Sequence, residues 1–231
     1  MKKLGLAIVA LALAGFVSGT AYAGPSAKFA ADWAANRVVL AEIKVDQTSA
    51  EELVAEELMT TIKVPQGKEL LIGVSGVANL ITFTKVKGKN KEGEIISSVE
   101  ATMDLEVKFA PVGTADVCST TAGTTAVPGA ITFASRIQTL SVETFIADGE
   151  LTDFVSVALE LDTTTAHHFN FLAVDVDSGE YDVYACFSGE ALRTLSDATL
   201  AEGSALVAIA HRIVTVQEVR AVKGSIDPLT E

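Results

Sequence analysis

The sequence predicts an all-β protein: an antiparallel β-sandwich, jelly-roll-like, of roughly ten strands with little helix. Three observations predict it. Residues 99–109 alternate strictly, with Val99, Ala101, Met103, Leu105, Val107 and Phe109 apolar and the residues between them polar. Period two over that length means a strand with one buried face and one wet face. Comparable apolar runs recur at hairpin-like spacing between clusters of Gly, Ser, Thr and Asp. Stretches with a helical period of 3.6 are scarce.

The chain opens with Lys2 and Lys3, an apolar run over residues 4–16, and small residues up to Ala23. These are the three regions of a secretory signal peptide, so residues 1–23 are expected to be cleaved. The apolar run falls short of the about 20 residues that span a bilayer. No second such run follows, and no membrane span is expected after cleavage. Gly24 offers no cysteine for a lipid anchor, and residues 225–231 show no anchoring tail. Export then places the protein in the periplasm, at the cell surface or in the medium. Residues 24–48 read as a segment packing on the sandwich, and 49–231 as a single β-sandwich domain.

Ser49 and Glu52 have the spacing of a capping box, which predicts a short helix to about Met59. Leu58, Thr60, Ile62 and Val64 alternate, so a strand takes over there or extends backwards. Residues 70–74 and 80–86 are two further strands. Lys85, Lys87, Lys89 and Lys91 then project from one side of an extended segment. Such a comb suits a polyanion or self-association with the acidic middle of the chain; its plain alternative is protection of a sheet edge. Residues 111–129, rich in Gly, Thr, Ser and Pro, read as a long loop. Residues 131–133 and 137–145 are strands. Val155, Val157, Leu159 and Leu161 alternate with Ser156 and Glu160, predicting a half-buried strand. Residues 169–176 and 181–187 flank a short Asp-Ser-Gly connection and read as a β-hairpin, with Gly179 supplying a positive φ. Residues 192–200 allow a helical turn, and 205–219 form the last strand.

Composition narrows the function classes. Across 231 residues, 49% are hydrophobic and the formal net charge is -13. So much apolar surface excludes a disordered polymer, and the acidic balance argues against nucleic-acid binding. Cys118 and Cys186 are the only cysteines, and in an exported chain they are expected to form one disulfide. It would pin the long loop to the strand at 181–187.

Chemistry-bearing motifs are sparse. His167 and His168 are adjacent, so on a strand they face opposite sides and cannot share an ion. His211 lies in an apolar run, where a hydrogen-bonded sheet histidine is expected. Asp175, Asp177 and Asp182 surround a Ser-Gly step, but the spacing departs from a calcium loop and the flanks are strands. A weak extracellular calcium site is the most they suggest; no other cofactor is indicated. Trp33, the single tryptophan, lies among alanines and gives little support for a sugar-binding surface.

Residues 61–75, 84–90, 131–140, 166–171 and 216–220 resemble a family of uncharacterised secreted prokaryotic β-rich proteins. The resemblance implies a secreted β-rich domain and transfers no functional residue. The function expected is a secreted or cell-surface, non-enzymatic interaction or structural module. The alternative is an extracellular polysaccharide-active hydrolase or lyase using carboxylates such as Asp153, Glu160 or Asp175.

Overall fold

The computed structural model describes residues 28–45, 47, 51–52, 56–65, 68–87, 93–144 and 156–219. The signal segment, Lys89, Lys91 and Asp153 lie outside these. The described chain forms strands β1 (Phe29–Ala34), β2 (Val38–Ile43), β3 (Glu51–Glu52), β4 (Glu56–Val64) and β5 (Lys68–Lys87). It continues through β6 (Gly93–Pro111), β7 (Thr124–Thr125), β8 (Ile131–Thr144), β9 (Ser156–Val176), β10 (Gly179–Leu195) and β11 (Ala201–Val219). No helix occurs among the described residues.

Two antiparallel sheets result. One has six strands in the order β3-β2-β11-β5-β9, with β1 also paired to β11; the other has five, in the order β4-β10-β6-β7, with β8 also on β6. They pack face to face, β11 and β5 against β10, β6 and β8. The alternation in β6 is the core as expected: Ala101, Met103, Leu105 and Val107 are fully buried, facing Phe187 and Val207 within one cluster.

The strands are longer than the sequence suggests. Residues 70–74 and 80–86 belong to one 20-residue strand, β5, about 65 Å from end to end. Its Ser75-Gly76 step resembles a break, yet it continues the ladder. A Cβ at Gly76 would lie 3.0 Å from Ile209, so the small residue serves the packing between strands. Likewise 131–133 and 137–144 belong to one strand, β8, with a bulge opposite Met103 and Asp104.

Three expectations are corrected. The helix opening at Ser49 does not extend to Met59. Residues 51–52 and 56–64 are strands, because Leu58, Ile62 and Val64 bury at period two against β10. The helical turn at 192–200 is the end of β10 followed by a tight turn, in which Thr199 N donates to Asp197 Oδ1. The hairpin at 169–187 is absent. β9 pairs with β5 and β10 pairs with β4 and β6, so the short connection crosses from one sheet to the other. The positive φ belongs to Asp175 (53°), where Val174 and Asp175 of β9 face the single residue Glu69 of β5 in a bulge. Val157, Leu159 and Leu161 point to the inner face but stay about 40% exposed, because β9 is the rim strand of its sheet.

Candidate functional site

The disulfide joins Cys118 in the loop after β6 to Cys186 on β10, with Cα atoms 5.4 Å apart. The bond suits an oxidising compartment. Around it the loop is tied down by buried polar groups. Lys108 Nζ donates to Val117 O and Thr120 O, and Gly113 N donates to Asp182 Oδ2. Asp182 also accepts from Thr61 Oγ1 at 2.6 Å. This carboxylate therefore ties the loop after β6 to β4 and β10. No cluster of metal-holding side chains occurs among the described residues.

Lys85 and Lys87 lie on the outer face of β5, which is hydrogen-bonded to β11 on one side and β9 on the other. They occupy a central strand, so protection of an open edge does not account for them. Both pair with Glu202 on β11, Lys85 at 3.3 Å and Lys87 more closely. The Lys87 hydrogen bond holds the Glu202 carboxyl below its usual range, and Lys85 adds to the effect.

Glu160 and Asp175 share β9 but stand fifteen residues apart, about 50 Å along a strand. They cannot act on one bond. A different pair, Asp104 and Glu190, lines a hollow of about 350 Å³ beside the part of β10 that runs past β4, and Ala41 of the facing sheet also lines it. Glu190 is exposed and Asp104 half-exposed.

The outer face of the six-stranded sheet carries exposed aromatic side chains beside hydroxyl, amide and imidazole groups. Its phase is set by a bulge. Ala210 faces Val77 and Ile213 faces Ser75, and His211 between them takes φ 47°. The extra residue reverses the alternation of β11. Arg212, Val214 and Val216 turn inward, while Ile213, Thr215 and Gln217 turn outward. His211 is thus exposed at a bulge, in place of the expected regular sheet position. The buried Arg212 donates to Asn36 Oδ1 in the turn after β1.

Register then aligns side chains in rows across four strands. Trp33, Ile213, Ser75 and His168 form one row, and Phe29, Gln217, Leu71 and Leu172 another. Between them runs Ala31, Thr215, Gly73 and Asn170. Trp33 is 73% exposed and Phe29 54%, because Ala30, Asp32 and Ala34 take the inward positions of β1. Four strands and four residues of rise give a platform about 14 by 13 Å.

Hydrogen bonds fix its polar half. Ser75 Oγ lies 2.7 Å from His168 Nδ1, and His168 Nε2 lies 3.2 Å from Asn170 Oδ1. Gly73 makes room for this group: a Cβ there would meet Thr215 Oγ1 at 2.7 Å and His168 Cε1 at 3.1 Å. Further along, Arg37 donates to Asn79 Oδ1, and Asn79 Nδ2 donates to Asp162 Oδ1 and Thr164 Oγ1. The Ser-His-Asn order resembles a nucleophile, base and orienting group. It lies on an open sheet face whose strand is laddered on both sides. A concave oxyanion cradle, which acyl transfer needs, is missing from it.

No protein-family model matches the chain, and no curated protein matches it. Weak structural likenesses are to infectious bursal disease virus. A Gx-strain structure aligns at 12% identity over 84% of this chain and 37% of that chain, with a TM-score of 0.18. The VP2 subviral particle aligns at 12% identity over 84% and 39%, with a TM-score of 0.19. The chain spans under two fifths of those capsid proteins, and scores at that level establish no shared fold.

Proposed function

We propose that the protein is an exported, non-enzymatic interaction module that binds an uncharged polysaccharide along the outer face of its six-stranded sheet. The observation that carries this reading is the exposure of Trp33 in register with Ser75 and His168 and of Phe29 in register with Gln217, with Asn170 in the row between them. An exposed aromatic face is apolar and presents a flat π surface, to which the C–H face of a sugar ring is complementary. Hydroxyl, amide and imidazole groups beside it match sugar hydroxyls as donors and acceptors. Arg37 and Asp162, of opposite charge, meet through Asn79 on the same face, and the platform itself carries uncharged polar groups. A flat platform accepts a chain lying across it, whereas a deep pocket would select a small molecule.

Retention on neutral polysaccharides such as cellulose, xylan, mannan and β-glucan tests the reading. The wild type should be held by at least one of them, and the Trp33→Ala variant should lose about tenfold or more in affinity. Failure of the wild type to bind any, or equal binding by Trp33→Ala, would overturn it. The hollow holding Asp104 and Glu190 supports a second reading, hydrolysis of a glycan. Release of reducing ends by wild type, abolished by Asp104→Asn, would establish that alternative.

A further inference from the structure

We propose that the cleft between β8 and β9, at the rim of the sandwich, is a binding site for a tetrahedral oxyanion, sulfate or phosphate, held by Arg136. The inference is independent of the glycan platform, which lies on the opposite side of the six-stranded sheet. β8 points Ala134, Arg136 and Gln138 toward the interior, as the alternation of burial along it shows. β9 points Thr163, Thr165 and His167 inward from the facing sheet, in register with Leu80, Ala78 and Gly76 of β5. Arg136, Thr163, Thr165 and His167 line a cavity of about 160 Å³ floored by Ala78 and Leu80. That is about five times the share of liquid volume of one water, enough for one oxyanion.

Arg136 Nη1 is buried and makes no hydrogen bond to any described residue. Arg136 as a whole is half-buried, so it is this one donor edge of the guanidinium that is shielded from water, and a shielded donor without a partner is costly. Gln138, the next inward residue of β8, is held by other partners: its Oε1 accepts from Thr82 and its Nε2 donates to Thr84 Oγ1 and Leu159 O. His167 is fixed by its ring packing, edge-on to Phe133 at 5.3 Å and stacked with Phe169 at 6.3 Å. The cleft therefore combines a planar cationic fork, two hydroxyls and an imidazole above an apolar floor. A fork of parallel N–H donors matches two oxygens of a phosphate or sulfate, and the threonine hydroxyls suit the remaining ones.

Thermal unfolding of the full chain with sodium sulfate, sodium phosphate or sodium acetate, each against sodium chloride at equal ionic strength, tests the site. Sulfate and phosphate stabilise many proteins through exclusion from their surface, so the readout is the difference between wild type and Arg136→Gln. At an oxyanion concentration about a hundredfold above its Kd, wild type should gain about 5 °C more than Arg136→Gln. Acetate should give a smaller gain, and in chloride Arg136→Gln should melt no lower than wild type. Equal gains in both proteins, or a variant that melts far lower in chloride with an unchanged response, would overturn the proposal. Titration calorimetry of wild type and of Thr163→Val/Thr165→Val provides a reading that needs no Arg136 variant. Saturable heat with sulfate or phosphate, weakened in the threonine variant, supports the site; no saturable heat with either ion refutes it.

Discussion

Removing the disulfide should cost the fold about 3–4 kcal/mol. Cys118 and Cys186 are 68 residues apart in sequence, and closing a loop of that length restricts the unfolded chain by about 4.4 kcal/mol at 25 °C in the chain-entropy account. The native side changes less. Lys108 still donates to Val117 O and Thr120 O, Asp182 still accepts from Gly113 N, and Tyr184 still donates to Thr114 O. The loop therefore stays docked in Cys118→Ala/Cys186→Ala, and the lost stability reflects mainly a freer unfolded state, reduced by relaxation of the native pair. Urea unfolding of the double variant beside wild type, with and without dithiothreitol, measures it. Reductant should lower wild type to the level of the variant and leave the variant unchanged. A double variant within about 0.5 kcal/mol of wild type would refute the reasoning. Lys108→Met should then cost more in the variant than in wild type, because the clamp and the disulfide secure the same loop.

Three further outcomes are expected. Leu105→Asp, at a fully buried position of β6, should unfold the domain or cost more than about 4 kcal/mol, while Asp104→Asn next to it should cost under about 0.5 kcal/mol; chemical denaturation compares them. At the bulge, His211→Gly should hold or raise the melting temperature and His211→Val should cost about 1–2 kcal/mol, since φ 47° suits glycine and strains a β-branched residue. Because Lys87 and Lys85 lower the pKa of Glu202, that pair contributes stability above the ordinary glutamate pKa of about 4.3 and loses it as pH falls through the depressed value. Glu202→Gln should accordingly be less stable than wild type at pH 7, and the gap should close in acid.

The fold class was legible because burial at period two writes itself directly into residues such as those of β6. Strand partners were not. The connection at residues 177–178 is as short as a hairpin, yet it crosses between the sheets, and sequence spacing does not distinguish the two paths. The breaks expected at Ser75-Gly76 and at residues 134–136 failed for a related reason: a small residue or a bulge interrupts the pattern of side chains while the backbone ladder continues. Of the site, Cys118 and Cys186 could be paired from their number and the export signal. The platform could not be read. Trp33 and Phe29 stand among alanines, and their companions Ser75, His168 and Asn170 come from distant strands. The bulge at His211, which turns Thr215 and Gln217 outward, has no signature in composition. Arg136 looks like any polar residue of an alternating strand until β9 is placed opposite it.

Trp33 is the single tryptophan, so its fluorescence reports the platform alone. Titration with a soluble neutral oligosaccharide from the polysaccharide that retains the protein is the most direct test of the central claim. The emission should shift saturably to the blue and acrylamide should quench it less, as a sugar ring covers an indole now 73% exposed. The same titration of Asn170→Ala should require a higher concentration for half-saturation. Polysaccharide retention accompanied by an unchanged Trp33 spectrum and unchanged quenching would place binding elsewhere and contradict the account.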